Sequence, residues 1–282
     1  MGATVMTAVR RQRDVLRVAG PDARTYLQGQ LSQDVDALDV GGAADTFVLQ
    51  PTGKVEAWMR ISRIADDVFM LDVDAGWGAV VLARLTRFLL RTDCTVEPVD
   101  WQLVTVLDAE MGSLDVPSSG LALPVVWPGL RAVDLLGPSV ELSDGIAEGD
   151  VSLWEERRIA AGIPSMGAEM DETTIPAATG VVDRSASFTK GCYTGQELVA
   201  RVNSRIAGAP TRIVRATGEG RPPLADTEIT LDGVAAGRLT SVASQQGTEP
   251  GGGFVALAEV KRSVKVPMTV DAGGTQVSLL AD

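Results

Sequence analysis

From Arg212 onward the chain is written in short β-prone pieces set between glycine turns. They are Ile213-Val214-Arg215-Ala216, Glu228-Ile229-Thr230-Leu231, Gly237-Arg238-Leu239-Thr240-Ser241-Val242, Phe254-Val255-Ala256-Leu257-Ala258, Met268-Thr269-Val270 and Val277-Ser278-Leu279. This texture restricts the segment to a small all-β unit and predicts a barrel. We place its start near residue 209, so that 209–282 form one domain.

Ahead of that boundary strands and helices are mixed. Val15-Leu16-Arg17-Val18 reads as a strand, and Asp22 can cap a helix that runs to about Gly29. Residues 45–74 read as a β-meander, with Gln50-Pro51-Thr52-Gly53-Lys54 as its first turn. Asp66, Asp67, Asp72 and Asp74 read as its solvated face rather than as a metal site. Val80, Val81, Leu85, Phe88 and Leu89 fall at helical spacing within 77–91. Val96 to Leu107 then reads as one strand, and 110–150 are rich in Gly, Pro, Ser and Asp. A helix is predicted from Val151 to Ala161, stopped by Gly162 with Pro164 beyond. The fold class that results is α+β.

Composition narrows the chemistry. Of 282 residues, 45% are hydrophobic and 22% charged, ordinary for a soluble globular protein. No apolar run approaches the roughly 18 residues that span a bilayer, and Met1 to Arg13 hold no apolar signal core. With only Cys94 and Cys192, far apart, a reducing cytoplasm is expected, with no membrane partner. A net charge of −12 opposes strong direct binding to nucleic-acid phosphates. The chain contains no histidine, which excludes Ser-His-Asp and Cys-His machinery and every His-based metal site. Two distant cysteines cannot hold a zinc ion or an iron–sulfur cluster within one chain, so no metal site is predicted. Chemistry is left to carboxylates, lysine, arginine, a thiol or a bound cofactor.

Lys190-Gly191-Cys192-Tyr193-Thr194-Gly195-Gln196-Glu197 has the composition of a site. A cysteine ahead of a helix start, with an ammonium two residues away, is placed for acidification. Cys192 is therefore read as a reactive thiol, against the alternative of a small buried hydrophobe. Lys190 either stabilises an anion or is solvated, and Tyr193 either stacks on a flat ring or packs under the loop. Glu197 either favours the helix dipole or meets the ligand, and Arg201, four residues on, suits an ordinary ion pair with it. Cys94 matches no motif and is read as structural.

These segments together resemble a known family, the YgfZ-type folate-binding proteins of the glycine-cleavage T-protein (aminomethyltransferase) superfamily. Leu16 to Ala23 followed by Tyr26-Leu27-Gln28-Gly29-Gln30 and Asp34 is similar to the family's opening segment, and Leu49 to Lys54 to its first hairpin. Gly162-Ile163-Pro164 and Ile175-Pro176 resemble its middle segment, and Lys190 to Glu197 its signature motif. The resemblance implies a three-domain ring with a central channel and a C-terminal β-barrel. It divides the chain into 1–100, a folate-binding-type domain, 101–208, a middle domain carrying the motif, and 209–282. It implies that tetrahydrofolate or a related folate is bound, with Cys192 as the catalytic candidate. Lys190, Gly191, Tyr193, Gly195, Gln196, Glu197 and Arg201 are then the candidate cofactor-binding residues. The implied role is accessory, in assembly or repair of iron–sulfur clusters in client proteins, including ones that modify tRNA.

Two departures bear on activity. Where the aminomethyltransferases carry an aspartate pair after the hairpin, this chain reads Val55-Glu56-Ala57-Trp58; the family's glutamate before the middle glycine is replaced by Ala160. On strand alternation, Glu56 should face away from the side that Ala57 occupies. A non-catalytic accessory protein is therefore expected. Two alternatives stay open: a folate-dependent aminomethyltransferase-like transferase or demethylase, and a module acting by protein contact alone.

Overall fold

The computed structural model describes residues 6–203, 208–245 and 252–281. Ten strands precede the C-terminal unit: β1 Thr7–Arg11, β2 Arg13–Ala19, β3 Ala43–Leu49, β4 Val55–Ala65, β5 Val68–Asp74, β6 Thr95–Val99, β7 Gln102–Leu107, β8 Leu121–Pro124, β9 Ala132–Gly137 and β10 Ala147–Gly149. They form two five-stranded sheets, ordered β3-β4-β5-β2-β6 and β10-β1-β7-β9-β8. All pairings are antiparallel except β1 with β10. Five helices accompany them: α1 Ala23–Gln30, α2 Gly78–Thr86, α3 Val151–Ala161, α4 Val182–Ser185 and α5 Gln196–Asn203.

The meander forms as the periodicity predicts, but α2 stops at Thr86, short of Phe88 and Leu89, and Val80 and Phe88 are exposed while Val81 and Leu85 carry its buried face. Asp22 does not cap α1 with its side chain; its carboxylate accepts the Asp93 backbone N–H at 2.8 Å, pinning the chain ahead of β6. The stretch from Val96 to Leu107 is two strands in different sheets. The ladder breaks at the exposed Asp100, where the chain crosses from β6 to β7. The Gly/Pro-rich stretch 110–150 carries three strands, because β9 lies fully buried between β7 and β8. The first strand also crosses over, since residues 7–11 sit in the sheet made by residues 102–149.

The C-terminal strands are β11 Thr211–Gly218, β12 Glu228–Leu231, β13 Val234–Ser244, β14 Phe254–Lys261, β15 Met268–Ala272 and β16 Thr275–Leu279. They close into a six-stranded barrel in the order β11-β14-β13-β12-β15-β16. Alternate residues such as Val214, Ala216, Phe254, Ala256 and Ala258 fill its interior, and closure removes the exposed edges that such short strands would leave. The barrel docks on α3. That helix starts at Asp150, whose carboxylate accepts the Ser152 N–H at 2.9 Å, and ends at Gly162 in the left-handed conformation, φ 82. Ile159 of α3 packs on Val255 and Leu257. Beside them Arg158 donates to the Ser241 hydroxyl at 3.0 Å, and Ser241 donates to Glu169 at 2.6 Å.

The two sheets are joined by buried charge. The Arg60 guanidinium on β4 donates to Asp72 on β5 at 2.9 Å and to Asp134 on β9, in the other sheet, at 2.6 Å. Arg13 bonds Asp72 and Asp74 from the far side. Asp72 is thus completely buried, not solvated as its alternating pattern suggests. Burial pushes its carboxyl up, but Arg60 and Arg13 outweigh that and leave it below the usual value of 3.8. A carboxyl depressed in the folded state stabilises the fold fully above its unfolded value and ceases to do so as pH falls through its folded value.

Asp72→Asn leaves Arg13 and Arg60 short of a counter-charge and should cost about 3–5 kcal/mol, the range for breaking a buried pair from one side. Urea denaturation at neutral pH measures this. The same variant should flatten the loss of stability that the wild type shows below about pH 4.

Candidate functional site

A cavity of about 910 Å³ is lined by residues of both sheets, of α3 and of the Ile163–Ser165 stretch. That size lies within the range of small-molecule sites. Three tryptophans line it: Trp58 from β4, Trp127 after β8 and Trp154 from α3. The Trp58 indole N–H donates to the Ser185 hydroxyl at 2.9 Å, fixing its ring. Arg184 lies 3.9 Å from the Trp127 ring centroid, and Arg11 lies 3.7 Å from that of Trp154. Such stacking holds each guanidinium flat against an aromatic face. Arg184 also donates to Asp45 at 2.7 Å. Burial pushes the Asp45 carboxyl above its ordinary value, with Arg184 pulling the other way.

The motif predicted as the site lies elsewhere. None of Lys190, Gly191, Cys192, Tyr193, Gly195, Gln196, Glu197 and Arg201 is among the residues that line the cavity. The Lys190 ammonium donates to three carbonyls, of Gln28 at 2.6 Å, Leu31 at 2.8 Å and Gln33 at 2.8 Å. All three of its donors are thereby committed to closing the C-terminal end of α1. Burial, opposed by Asp34 and Asp36, brings this ammonium down to about 8. Cys192 is exposed, and no hydrogen bond or ion pair joins it to Lys190 among the described residues. Tyr193 is buried beneath the loop, its ring centroid 5.2 Å from the Lys190 nitrogen. Glu197 and Arg201 form an exposed i,i+4 ion pair on α5, and Gln196 opens that helix.

The two glycines of the motif differ. Gly195 takes φ 82 and abuts the β3–β4 turn, where an added Cβ would come 2.7 Å from the Gln50 carbonyl oxygen. Gly53 of that turn reciprocates, since its Cβ would meet Leu198 at 2.3 Å. The hairpin and the motif, remote in sequence, thus interlock through bare backbone. Gly191 has nothing within 4 Å of an added Cβ.

The positions marked as departures are resolved in space. Ala57 is buried, while Trp58 lines the cavity. Alternation from Trp58 and Arg60 would aim Glu56 into the cavity as well. A register shift between Val48 and Leu49 leaves Glu56 without a ladder partner, and its carboxylate meets Arg84 of α2 at 3.2 Å. Ala160 is exposed and outside the lining; the acid of α3 that lines the cavity is Glu155, held by Arg158 at 2.7 Å. Asp45 and Arg11 were invisible as site residues, because each belongs to a strand whose partners across the cavity lie far away in sequence. The group set suits a flat ligand with an anionic end: aromatic faces for the ring, arginine forks for the anion.

The fold is that of the glycine-cleavage T-proteins. The crystal structure of aminomethyltransferase T from Bartonella henselae superposes with a TM-score of 0.81 over 99% of this chain and 86% of that one, at 16% identity. No family model matches the chain. An uncharacterized protein of Haemophilus influenzae is 31% identical over 198 residues, 70% of this chain and 68% of that one. The tRNA-modifying protein YgfZ of Pectobacterium atrosepticum is 26% identical, over 67% of this chain and 64% of its own length. The mitochondrial iron–sulfur cluster assembly factor IBA57 homolog of Neurospora crassa is 28% identical, over 72% of this chain and 51% of its own. The chain belongs to the YgfZ-type family of T-protein-like proteins. It spans just under two thirds of the YgfZ relative and about half of the IBA57 homolog.

Substitutions in the motif should separate fastening from chemistry. Gly195→Ala combines a left-handed backbone with a clash against a carbonyl and should cost about 2 kcal/mol or more. Lys190→Ala strands three carbonyls and should cost about 1–3 kcal/mol. Gly191→Ala should stay within about 0.5 kcal/mol of wild type. Chemical denaturation of the three variants checks the order.

Proposed function

We propose that this chain is a folate-binding accessory protein in iron–sulfur cluster assembly or repair, and through it in tRNA modification. The names of its relatives, a tRNA-modifying protein and an iron–sulfur cluster assembly factor, support the setting. The observation that carries the folate reading is the cavity itself, with Trp58, Trp127 and Trp154 as flat faces and stacked arginines between them. Tetrahydrofolate, when bound, supplies a carrier for one-carbon units. This chain's part is to bind and orient it: the tryptophans exclude water from the ring, and the arginines receive the anionic end. Cys192, exposed on its own loop outside the cavity, is the group offered outward to a client protein. The remaining motif residues, Lys190 first, support that loop from below.

A transferase reading has one observation in its favour. Asp45 is a cavity carboxylate whose burial raises its pKa, the direction of shift that a proton-transferring carboxyl needs. Against it, Asp45 is tied to Arg184 at 2.7 Å, and the chain has no histidine to complete a proton relay.

Titration with tetrahydrofolate should quench tryptophan emission with saturation in the micromolar to millimolar range, because three of the five tryptophans line the cavity. An unchanged spectrum through the millimolar range removes the folate reading. Incubation with an aminomethyl donor should yield methylenetetrahydrofolate only at background; steady turnover abolished in Asp45→Asn transfers the protein to the enzyme class. Cys192→Ala should fold as wild type yet fail to restore a strain lacking the protein, and full restoration makes the thiol dispensable.

A further inference from the structure

Arg11 stands apart from the other buried arginines of the cavity wall. Arg13 is held by Asp72 and Asp74, Arg60 by Asp72 and Asp134, Arg158 by Glu155 and Glu169, and Arg184 by Asp45. The Arg11 side chain, 13% exposed, donates one N–H to the Thr105 hydroxyl at 3.1 Å. Its nearest carboxylate, Asp134, is 3.8 Å away and already accepts from Arg60 and from Thr105, the latter at 2.5 Å. A guanidinium carries five N–H donors, and those beyond the Thr105 bond have no protein acceptor among the described residues. The group lies flat on Trp154, which itself lines the cavity. Burial, opposed chiefly by Asp134, lowers Arg11 to about 10; in Arg13 and Arg60 burial is outweighed by the paired acids and the pKa rises. Arg11 is therefore charged at neutral pH and the least compensated cation of its cluster.

We propose that Arg11 is the carboxylate receptor of this cavity, its open N–H edge taking the anionic end of a planar ligand seated among the tryptophans. A carboxylate fits better than a phosphate. Among the described residues no lysine lines the cavity, and Asp134 at 3.8 Å from Arg11 repels a dianion more than a monoanion. Only the identity of the ligand rests on the folate reading above; on that reading the anionic end is the glutamate tail.

Calorimetric titration with three probes tests this: tetrahydrofolate, a methyltetrahydropterin that lacks the tail, and p-aminobenzoylglutamate, which is the tail without the pterin. Wild type should hold tetrahydrofolate at least about tenfold tighter than the methyltetrahydropterin, the effect of one charge-assisted fork. Arg11→Gln should erase that gap and leave the methyltetrahydropterin affinity unchanged, and Arg11→Lys should keep part of it. A gap that survives in Arg11→Gln, or an equal loss for both ligands, overturns the proposal. If Arg11→Gln does not fold, a wild type without the gap, or Arg11→Lys with all of it, overturns it instead. If neither pterin binds wild type, the fragment decides. Fragment binding that Arg11→Gln abolishes sustains the carboxylate site and removes the folate reading, while no binding removes both.

Discussion

The Arg60 guanidinium, shared between Asp72 of its own sheet and Asp134 of the other, is the contact on which the cavity depends. It spans the line where two separately hydrogen-bonded sheets meet, and the cavity opens above it. Charges so buried are tolerated only when each finds a partner, because desolvating an ion costs several kcal/mol. Arg13, Asp72, Asp74, Thr105 and Asp134 supply those partners and thereby set the relative position of β2, β4, β5, β7 and β9. An apolar seam of the same volume would hold the sheets together as well. It would not leave Arg11 charged and under-bonded at the cavity wall.

Cavity and motif are separated in this fold, and the separation follows from backbone packing. The motif loop is locked from below by Lys190 on the end of α1 and from the side by Gly195 against the Gln50 carbonyl. Those contacts use up the features that make the octapeptide look like a binding loop: the cation and one of the two glycines. Cys192 remains accessible, flanked by the exposed Gly191, with Glu197 exposed further along the motif. The cavity and the exposed thiol are then separate features of one frame, and the β3–β4 hairpin touches both, through Trp58 in the cavity wall and the turn that meets Gly195.

The cavity chemistry also accounts for the departures from the aminomethyltransferase pattern. An indole lines the wall where that pattern has a carboxylate, and the neighbouring acid, Glu56, is turned toward Arg84 by a bulge. The acids that do line the wall, Asp45, Asp72, Asp74, Asp134 and Glu155, are each held by an arginine. A wall built this way offers shape, aromatic faces and fixed charge, and each acid in it is committed to an arginine.

The alternating apolar pattern after residue 209, the meander, the stop at Gly162 and the order of the motifs were legible in sequence alone, because each depends on neighbours a few residues away. The α+β class, the closed barrel and the family followed from them. Asp72, Asp74 and Arg11 were not legible. On a strand a buried ion pair and a solvated face share the same alternation, and only the register of β2, β4 and β9 decides which is present. The break at Asp100 was hidden because two apolar strands in succession read as one until their separate partners are known. Lys190 and Gly195 carried a signal of importance, but its meaning was set by Gln28, Leu31, Gln33 and Gln50, more than a hundred residues away in the chain. Local pattern determined the elements; the partners of each charge and each bare backbone were decided only when the sheets came together.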